Sequence, residues 1–92
     1  MPRILFAEDD GGYRAAVVRA LRDVAGYEVT ECSTADEALD RLRRESFDVV
    51  LTDLRMPGTS GLELMKQAAA RMPDCVLIVL TAYASIDTTI EA

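Results

Sequence analysis

Short apolar runs alternate with amphipathic stretches along the sequence. Continuous apolar runs predict strands that are buried between helices, and a more alternating run predicts a strand nearer the edge of a sheet. The predicted strands cover residues 3–7, 27–32, 47–52 and 76–80. The predicted helices cover 11–25, a segment that begins after Thr34, 60–71 and 85–92. This alternation predicts an α/β fold with a doubly wound parallel sheet and helices on both faces.

Each of the first three predicted helices has one apolar stripe that should face the sheet. A capping pattern supports the second of them, because Thr34 precedes it and Glu37 follows three residues later. The helix positions that we expect to be buried are Val17, Val18, Leu21, Val24, Ala25, Ala35, Ala38, Leu39, Leu42, Leu62, Met65, Ala68, Ala69 and Met72.

Carboxylates follow two of the apolar runs, at the point where each predicted strand ends. Glu8, Asp9 and Asp10 come directly after the first strand, and Asp53 comes directly after the third. If these strands are parallel neighbours, their acidic ends meet at the carboxyl edge of the sheet, where open α/β sheets bind ligands. Converging carboxylates repel one another and favour a bound cation. Hard oxygen ligands in a chain without histidine suit Mg²⁺ or Mn²⁺, so the pattern predicts phosphate chemistry at a magnesium site.

Charge and cysteine usage narrow the choice of partners and compartment. The 92 residues suffice for one domain, and their net charge of −6 argues against direct binding to nucleic acid or to an anionic membrane surface. Cys32 and Cys75 lack the spacing of a metal or redox motif and are interpreted as small buried hydrophobes. The longest apolar run is far too short to cross a bilayer. We therefore predict a cytoplasmic protein without a membrane partner.

The order of these motifs resembles the receiver domains of two-component response regulators, over all 92 positions. The residues that carry the resemblance are Glu8, Asp9, Asp10, the run Asp53-Leu54-Arg55-Met56-Pro57, Gly61, Thr81 and Ala82. The segment 79–87 further resembles receivers that precede the ATPase domains of enhancer-binding transcription activators. The resemblance implies a flavodoxin-like receiver fold with strand order 2-1-3-4.

The resemblance also implies a phosphoacceptor site around Asp53. This carboxylate would attack phosphorus and form an aspartyl phosphate. Asp9 and Asp53 would bind Mg²⁺ directly, and Glu8 would help through a bound water. The backbone carbonyl of Arg55 would be a further ligand. The metal would offset charge on the phosphoryl oxygens while the protein supplies position and electrostatics.

Two residues after the fourth strand complete the implied site. Thr81 places a hydroxyl where it can donate a hydrogen bond to the phosphoryl group, and the small side chain of Ala82 leaves room for that group. Because the chain has no histidine, the resemblance implies a phosphohistidine donor on a sensor histidine kinase or a phosphotransfer protein. Such a domain is not an enzyme in the usual sense, since at most it catalyses its own phosphorylation and dephosphorylation.

The pattern of the family continues with a fifth strand, a lysine before that strand and a final helix. The only lysine of this sequence is Lys66, on the predicted third helix. We therefore expect residues 1–92 to form a receiver domain that is incomplete at its C-terminus. Without a fifth strand, residues 76–80 would be an apolar edge that invites another chain to pair. A homodimer or a swapped oligomer through the fourth strand is the expected consequence.

Plainer interpretations exist for each motif. Taken alone, the acidic cluster is typical of a solvated helix start, Asp53 of a turn and Thr81 of a strand end. These interpretations do not explain why all three fall on one edge of the predicted sheet. Two other functions remain as alternatives: a pseudo-receiver that acts only as a dimerisation module, and a phosphatase with an Asp nucleophile. The phosphatase would need a second aspartate where this chain has Arg55.

Overall fold

The computed structural model describes residues 2–54 and 60–80 of the chain. In chain order, the elements are β1 (Arg3–Ala7), α1 (Gly11–Arg19), β2 (Glu28–Cys32), α2 (Ala35–Arg44), β3 (Val49–Asp53), α3 (Gly61–Arg71) and β4 (Val76–Leu80). The helix predicted over 85–92 lies outside the described residues. Among those residues, no helix has the length and apolar character that a membrane span requires.

The four described strands form one parallel sheet in the order β2-β1-β3-β4, which confirms the predicted fold class and strand order. Strand β1 lies between β2 and β3, with Ala7 opposite Cys32 on one side and opposite Thr52 on the other. The register therefore places the residues that follow β1 beside the end of β3.

Two apolar clusters cover the two faces of the sheet, because successive side chains of a strand point to opposite faces. Leu5 and Val50 belong to the cluster on the side of α2 and α3. Ile4, Phe6 and Leu51 belong to the cluster on the side of α1. Both clusters include fully buried side chains, so the sheet is a rigid base for the residues at its carboxyl edge. Neither cysteine is in a disulfide: Cys32 is buried and Cys75 is half-buried.

Part of the predicted stripe of α3 is wrong. Leu62 is 55% exposed and Ala69 is also exposed, whereas Leu64, which was not predicted, is completely buried. The stripe that faces the sheet consists of Gly61, Leu64, Met65 and Ala68. Because Gly61 itself packs against the sheet, the buried positions are those three, four and seven residues after it. Leu62, the next residue along the helix, therefore points away from the sheet.

The end of the first helix also differs from the prediction. Residues Ala20–Val24 form a π-helical turn, in which the N–H of Ala25 donates to the carbonyl of Ala20 at 3.2 Å. The wider turn moves its last side chain, and the residue that follows it, away from the regular stripe. Val24 is consequently 87% exposed and Ala25 is exposed, although both were predicted to be buried.

Candidate metal and phosphoacceptor site

Three carboxylates meet at the carboxyl edge of the sheet. Glu8 and Asp9 follow β1, Asp53 ends β3, and one carboxylate oxygen from each lies within 4.8 Å of the others. The parallel pairing of β1 with β3 produces this convergence, because both strands end at the same edge. Glu8 is buried, Asp53 is half-buried and Asp9 is exposed, so the cluster opens to solvent on one side.

Glu8 is fixed on three sides. Its N–H donates to the carbonyl of Cys32 at the end of β2 over 3.0 Å. Its carbonyl accepts a hydrogen bond of 2.7 Å from Nη1 of Arg14. Its carboxylate oxygen Oε2 accepts one of 3.1 Å from the N–H of Asp10. A side chain only 3% exposed with these contacts has one position, which suits a preorganised ligand set.

Asp10 has a different role from its two acidic neighbours. Its side chain caps α1, because Oδ1 accepts a hydrogen bond of 3.0 Å from the N–H of Tyr13. The structure thus divides the acidic run. Glu8 and Asp9 belong to the cluster with Asp53, and Asp10 belongs to the helix.

The pKa of Glu8 is raised from its ordinary value of 4.5, chiefly because burial penalises the charged carboxylate. A hydrogen bond with Asp9 and the charges of Asp53 and Asp9 raise the pKa further, and the N–H of Asp10 lowers it in part. The folded chain therefore holds concentrated negative charge at this edge, and a divalent cation would relieve it.

This shift predicts how the stability of the metal-free chain depends on pH. Because the folded pKa exceeds the unfolded one, folding favours proton uptake by Glu8. The stabilisation of the fold that comes from this proton uptake is complete below pH 4.5. It is lost as the pH rises through the raised pKa of Glu8. We expect Glu8→Gln to flatten the fall in the free energy of unfolding over that window. Urea titrations in EDTA at a series of pH values measure the free energy of unfolding. Glu63→Gln, at an exposed position of α3, is the control. Parallel slopes for wild type and Glu8→Gln would contradict the prediction.

The backbone of Asp53 is packed directly against the start of α3. The hydroxyl of the buried Thr52 donates to the carbonyl of Asp53 at 3.0 Å. Gly61 lies so near that carbonyl that a Cβ on Gly61 would be 2.1 Å from its oxygen. Gly61 therefore permits the close approach that sets the position of Asp53.

Two residues of this site were not assigned to it from the sequence. Gly61 appeared only among the motif residues, and its contact with Asp53 depends on how the start of α3 packs against the end of β3. Arg14 was not singled out, although a cation in the first turn of the helix after an acidic run is the signal that could have indicated it. The predicted roles of Arg55, Thr81 and Ala82 concern positions outside the described residues.

The comparisons with known proteins agree on one family. The model of the response regulator receiver domain matches residues 4–92. The response regulator receiver protein CpdR of Brucella abortus is 41% identical over 86 residues, which are 94% of this chain and 71% of that protein. The DNA-binding transcriptional regulator NtrC of Klebsiella pneumoniae is 39% identical over 85 residues, 92% of this chain but only 18% of that protein. The chain thus spans less than a fifth of the longer regulator.

Solved structures give the same answer for the fold. The response regulator TrrA of Thermotoga maritima, solved in complex with Mg²⁺-BeF, is 32% identical with a TM-score of 0.82, over 96% of this chain and 76% of that one. TrrA in complex with the histidine kinase ThkA is 35% identical with a TM-score of 0.81, over 90% of this chain and 71% of that one. The chain belongs to the response regulator receiver domain family of two-component signalling systems.

Membership of this family defines the general class of function. A receiver is a signalling domain and not a classical enzyme. Receivers bind Mg²⁺ at an acidic cluster, and in this chain Glu8, Asp9 and Asp53 form an acidic cluster at the carboxyl edge of the sheet.

Proposed function

We propose that this chain is the phosphoacceptor domain of a two-component response regulator, which takes a phosphoryl group onto Asp53 in the presence of Mg²⁺. The observation that carries the proposal is the convergence of the Glu8, Asp9 and Asp53 carboxylates within 4.8 Å at the carboxyl edge of a receiver sheet. The assignment of residues 1–92 to one receiver domain belongs to the same proposal and is supported by the family match over 4–92.

The donor set fits magnesium. It consists of hard carboxylate oxygens on one open edge, and a site of this kind leaves room for the waters that Mg²⁺ usually keeps. Asp9 and Asp53 would hold the ion directly. Glu8 would act through water, because its Oε2 already accepts the Asp10 N–H. Once bound, Mg²⁺ would neutralise charge on the phosphoryl oxygens. Mn²⁺ offers the same chemistry.

The chemical step assigned to Asp53 is a displacement at phosphorus. A carboxylate oxygen of Asp53 forms a new O–P bond as the N–P bond of a phosphohistidine breaks. The donor imidazole, which already carries a proton on its other ring nitrogen, takes the N–P electron pair and leaves as neutral imidazole. Arg55 (through its carbonyl), Thr81 and Ala82 would complete the site as the family resemblance implies. The domain would at most catalyse its own phosphorylation and dephosphorylation.

A sensor histidine kinase is the proposed donor, with a phosphotransfer protein as the other source of phosphohistidine. Support comes from the similar regulator TrrA, whose structure was solved in complex with the histidine kinase ThkA. An output in transcription regulation is supported by the similarity to NtrC. The absence of direct nucleic-acid or membrane contacts, and a cytoplasmic location, stay predictions from the sequence.

The test of this function uses a small phosphodonor. Incubation with acetyl phosphate should give a base-labile phosphate on Asp53 when Mg²⁺ is present and none when EDTA replaces it. An Asp-nucleophile phosphatase would instead release inorganic phosphate from many phosphomonoesters, and a pseudo-receiver would remain unlabelled.

Self-association through β4 is a second role that one observation favours. Five apolar residues form this strand, and Val76, Leu77, Ile78 and Val79 are 54%, 36%, 43% and 37% exposed. Within the described sheet, β4 is an outer strand, and it carries no charge or proline that would prevent pairing. A second copy of this chain is the occupant that we propose, as a homodimer or by exchange of β4.

Light scattering over a range of concentrations checks this self-association. We expect the 92-residue chain to be a dimer or larger at micromolar concentrations, and Ile78→Lys to shift it towards monomer because the charge would be buried in the contact. Leu62→Lys, at another exposed apolar position, is the matched control and should leave the oligomer unchanged. A wild type that stays monomeric at high micromolar concentration would refute the role of β4.

A further inference from the structure

Arg14 joins the turn that carries Glu8 and Asp9 to strand β2. It lies in the first turns of α1, and its side chain is 21% exposed. Nη1 donates to the carbonyl of Glu8 at 2.7 Å, and Nε donates to Oε1 of Glu31 at 3.2 Å. One planar guanidinium therefore holds the backbone of the turn and a side chain of the neighbouring strand at the same time.

The partner on β2 is itself held in place. Oε2 of Glu31 lies 3.7 Å from Nη1 of Arg22, and Nη2 of Arg22 donates to the carbonyl of Val29 at 2.7 Å. The chain of contacts begins at the backbone of Glu8 and ends at the backbone of Val29. It runs beside the hydrogen bond between the Glu8 N–H and the Cys32 carbonyl, so the turn is attached to β2 at two points.

Arg14, through its position beside Glu8, should affect Mg²⁺ affinity in two opposite ways. A guanidinium near an acidic cluster repels Mg²⁺ and should weaken its binding. A donor to the carbonyl of a buried residue holds that residue in place, and groups that orient metal ligands strengthen binding. Because the two effects differ in sign, the direction of a substitution effect shows which of them dominates.

We propose that Arg14 is a positioning residue of the metal site, which holds the β1–α1 turn so that Glu8 and Asp9 face Asp53. This inference rests on the proposed function, since it assigns Mg²⁺ to that cluster. Arg14 itself does not bind the ion or the phosphoryl group. Its part is to keep the carboxylates of Glu8 and Asp9 in position beside that of Asp53.

The experiment compares Mg²⁺ affinity in three variants by isothermal titration calorimetry. Arg14→Met removes the charge and both donors and should weaken binding by about tenfold, the low end for groups that orient metal ligands. Arg14→Lys keeps the charge but cannot reproduce the two-donor fork, so it should also weaken binding, by roughly threefold. Arg19→Met makes the same charge change on an exposed position of α1 and should leave the affinity unchanged or slightly higher.

A second measurement does not depend on metal. Hydrogen exchange in EDTA should be faster at the Glu8 and Asp10 amides in both Arg14 variants than in wild type, and unchanged in Arg19→Met. Should wild type fail to bind Mg²⁺, the proposed function fails, and the exchange at these amides still decides whether Arg14 holds the turn. Mg²⁺ binding to Arg14→Met at wild-type affinity or tighter, or unchanged exchange, would overturn the proposal. If Arg14→Met does not fold, Arg14→Lys carries both measurements.

Discussion

Replacing Gly61 with alanine should lower the free energy of unfolding by about 3 kcal/mol, the upper range for forcing extra atoms into a packed site. A Cβ at this position would lie 2.1 Å from the carbonyl oxygen of Asp53, 2.9 Å from its carbonyl carbon and 3.0 Å from Cα of Leu54. All three atoms belong to the backbone, so no side chain can rotate to relieve the contact. Either α3 or the end of β3 must move. Urea denaturation measures the loss.

Gly12→Ala is the matched control for this substitution. Gly12 lies in α1, and a Cβ there would meet its nearest neighbour, Oδ1 of Asp10, at 3.6 Å, which is ordinary contact. Because alanine favours a helix over glycine, this variant should gain up to about 1 kcal/mol. The two glycine substitutions should thus differ in sign. Equal stabilities of Gly61→Ala and wild type would show that α3 does not lie this close to the backbone of Asp53.

Asp53→Asn should abolish phosphoryl acceptance and reduce Mg²⁺ affinity by at least about tenfold. An amide is not a nucleophile at phosphorus, and the substitution removes a charged ligand from a cluster of three carboxylates. Asp74→Asn, an exposed aspartate in the turn before β4, is the control for the change in net charge and should behave like wild type.

The same Asp53 variant should stabilise the metal-free chain. The charge of Asp53 is one of the causes that raise the pKa of Glu8, so its removal relieves repulsion, by about 1 kcal/mol if the relief equals one pKa unit. Mg²⁺ should then raise the melting temperature of wild type more than that of Asp53→Asn, because it binds the folded wild type more tightly. Identical melting temperatures in EDTA, or an equal gain with Mg²⁺, would contradict the proposed cluster.

Much of the fold could be predicted because the strands have an unambiguous pattern. β1 is a short apolar run followed directly by acidic residues, and β3 is a short apolar run whose last residue is Asp53. Their parallel pairing follows from the alternation of strands with helices. The convergence of Glu8 with Asp53 needs only that pairing. The helix stripes were harder, since Leu62 and Leu64 are both apolar and only the packing of the helix start selects the buried one.

The rest of the site depends on contacts that sequence spacing does not encode. Gly61 must be small because the start of α3 packs against the backbone of Asp53, and this contact is visible only in the structure. The contact of Arg14 with Glu31 joins residues 17 positions apart on different elements. The π-helical turn that exposes Val24 likewise has no local sequence signal.

Phosphorylation of Asp53 is tested most directly by mapping the phosphate after incubation with acetyl phosphate. With Mg²⁺ present, mass spectrometry of the intact chain and of its peptides should find one phosphoryl group, and it should be on Asp53. Wild type and Asp74→Asn should give the same result. EDTA and Asp53→Asn should each remove it. A phosphate on a different residue, or an unmodified chain under conditions where calorimetry shows Mg²⁺ bound, would contradict the assignment of Asp53 as the phosphoacceptor.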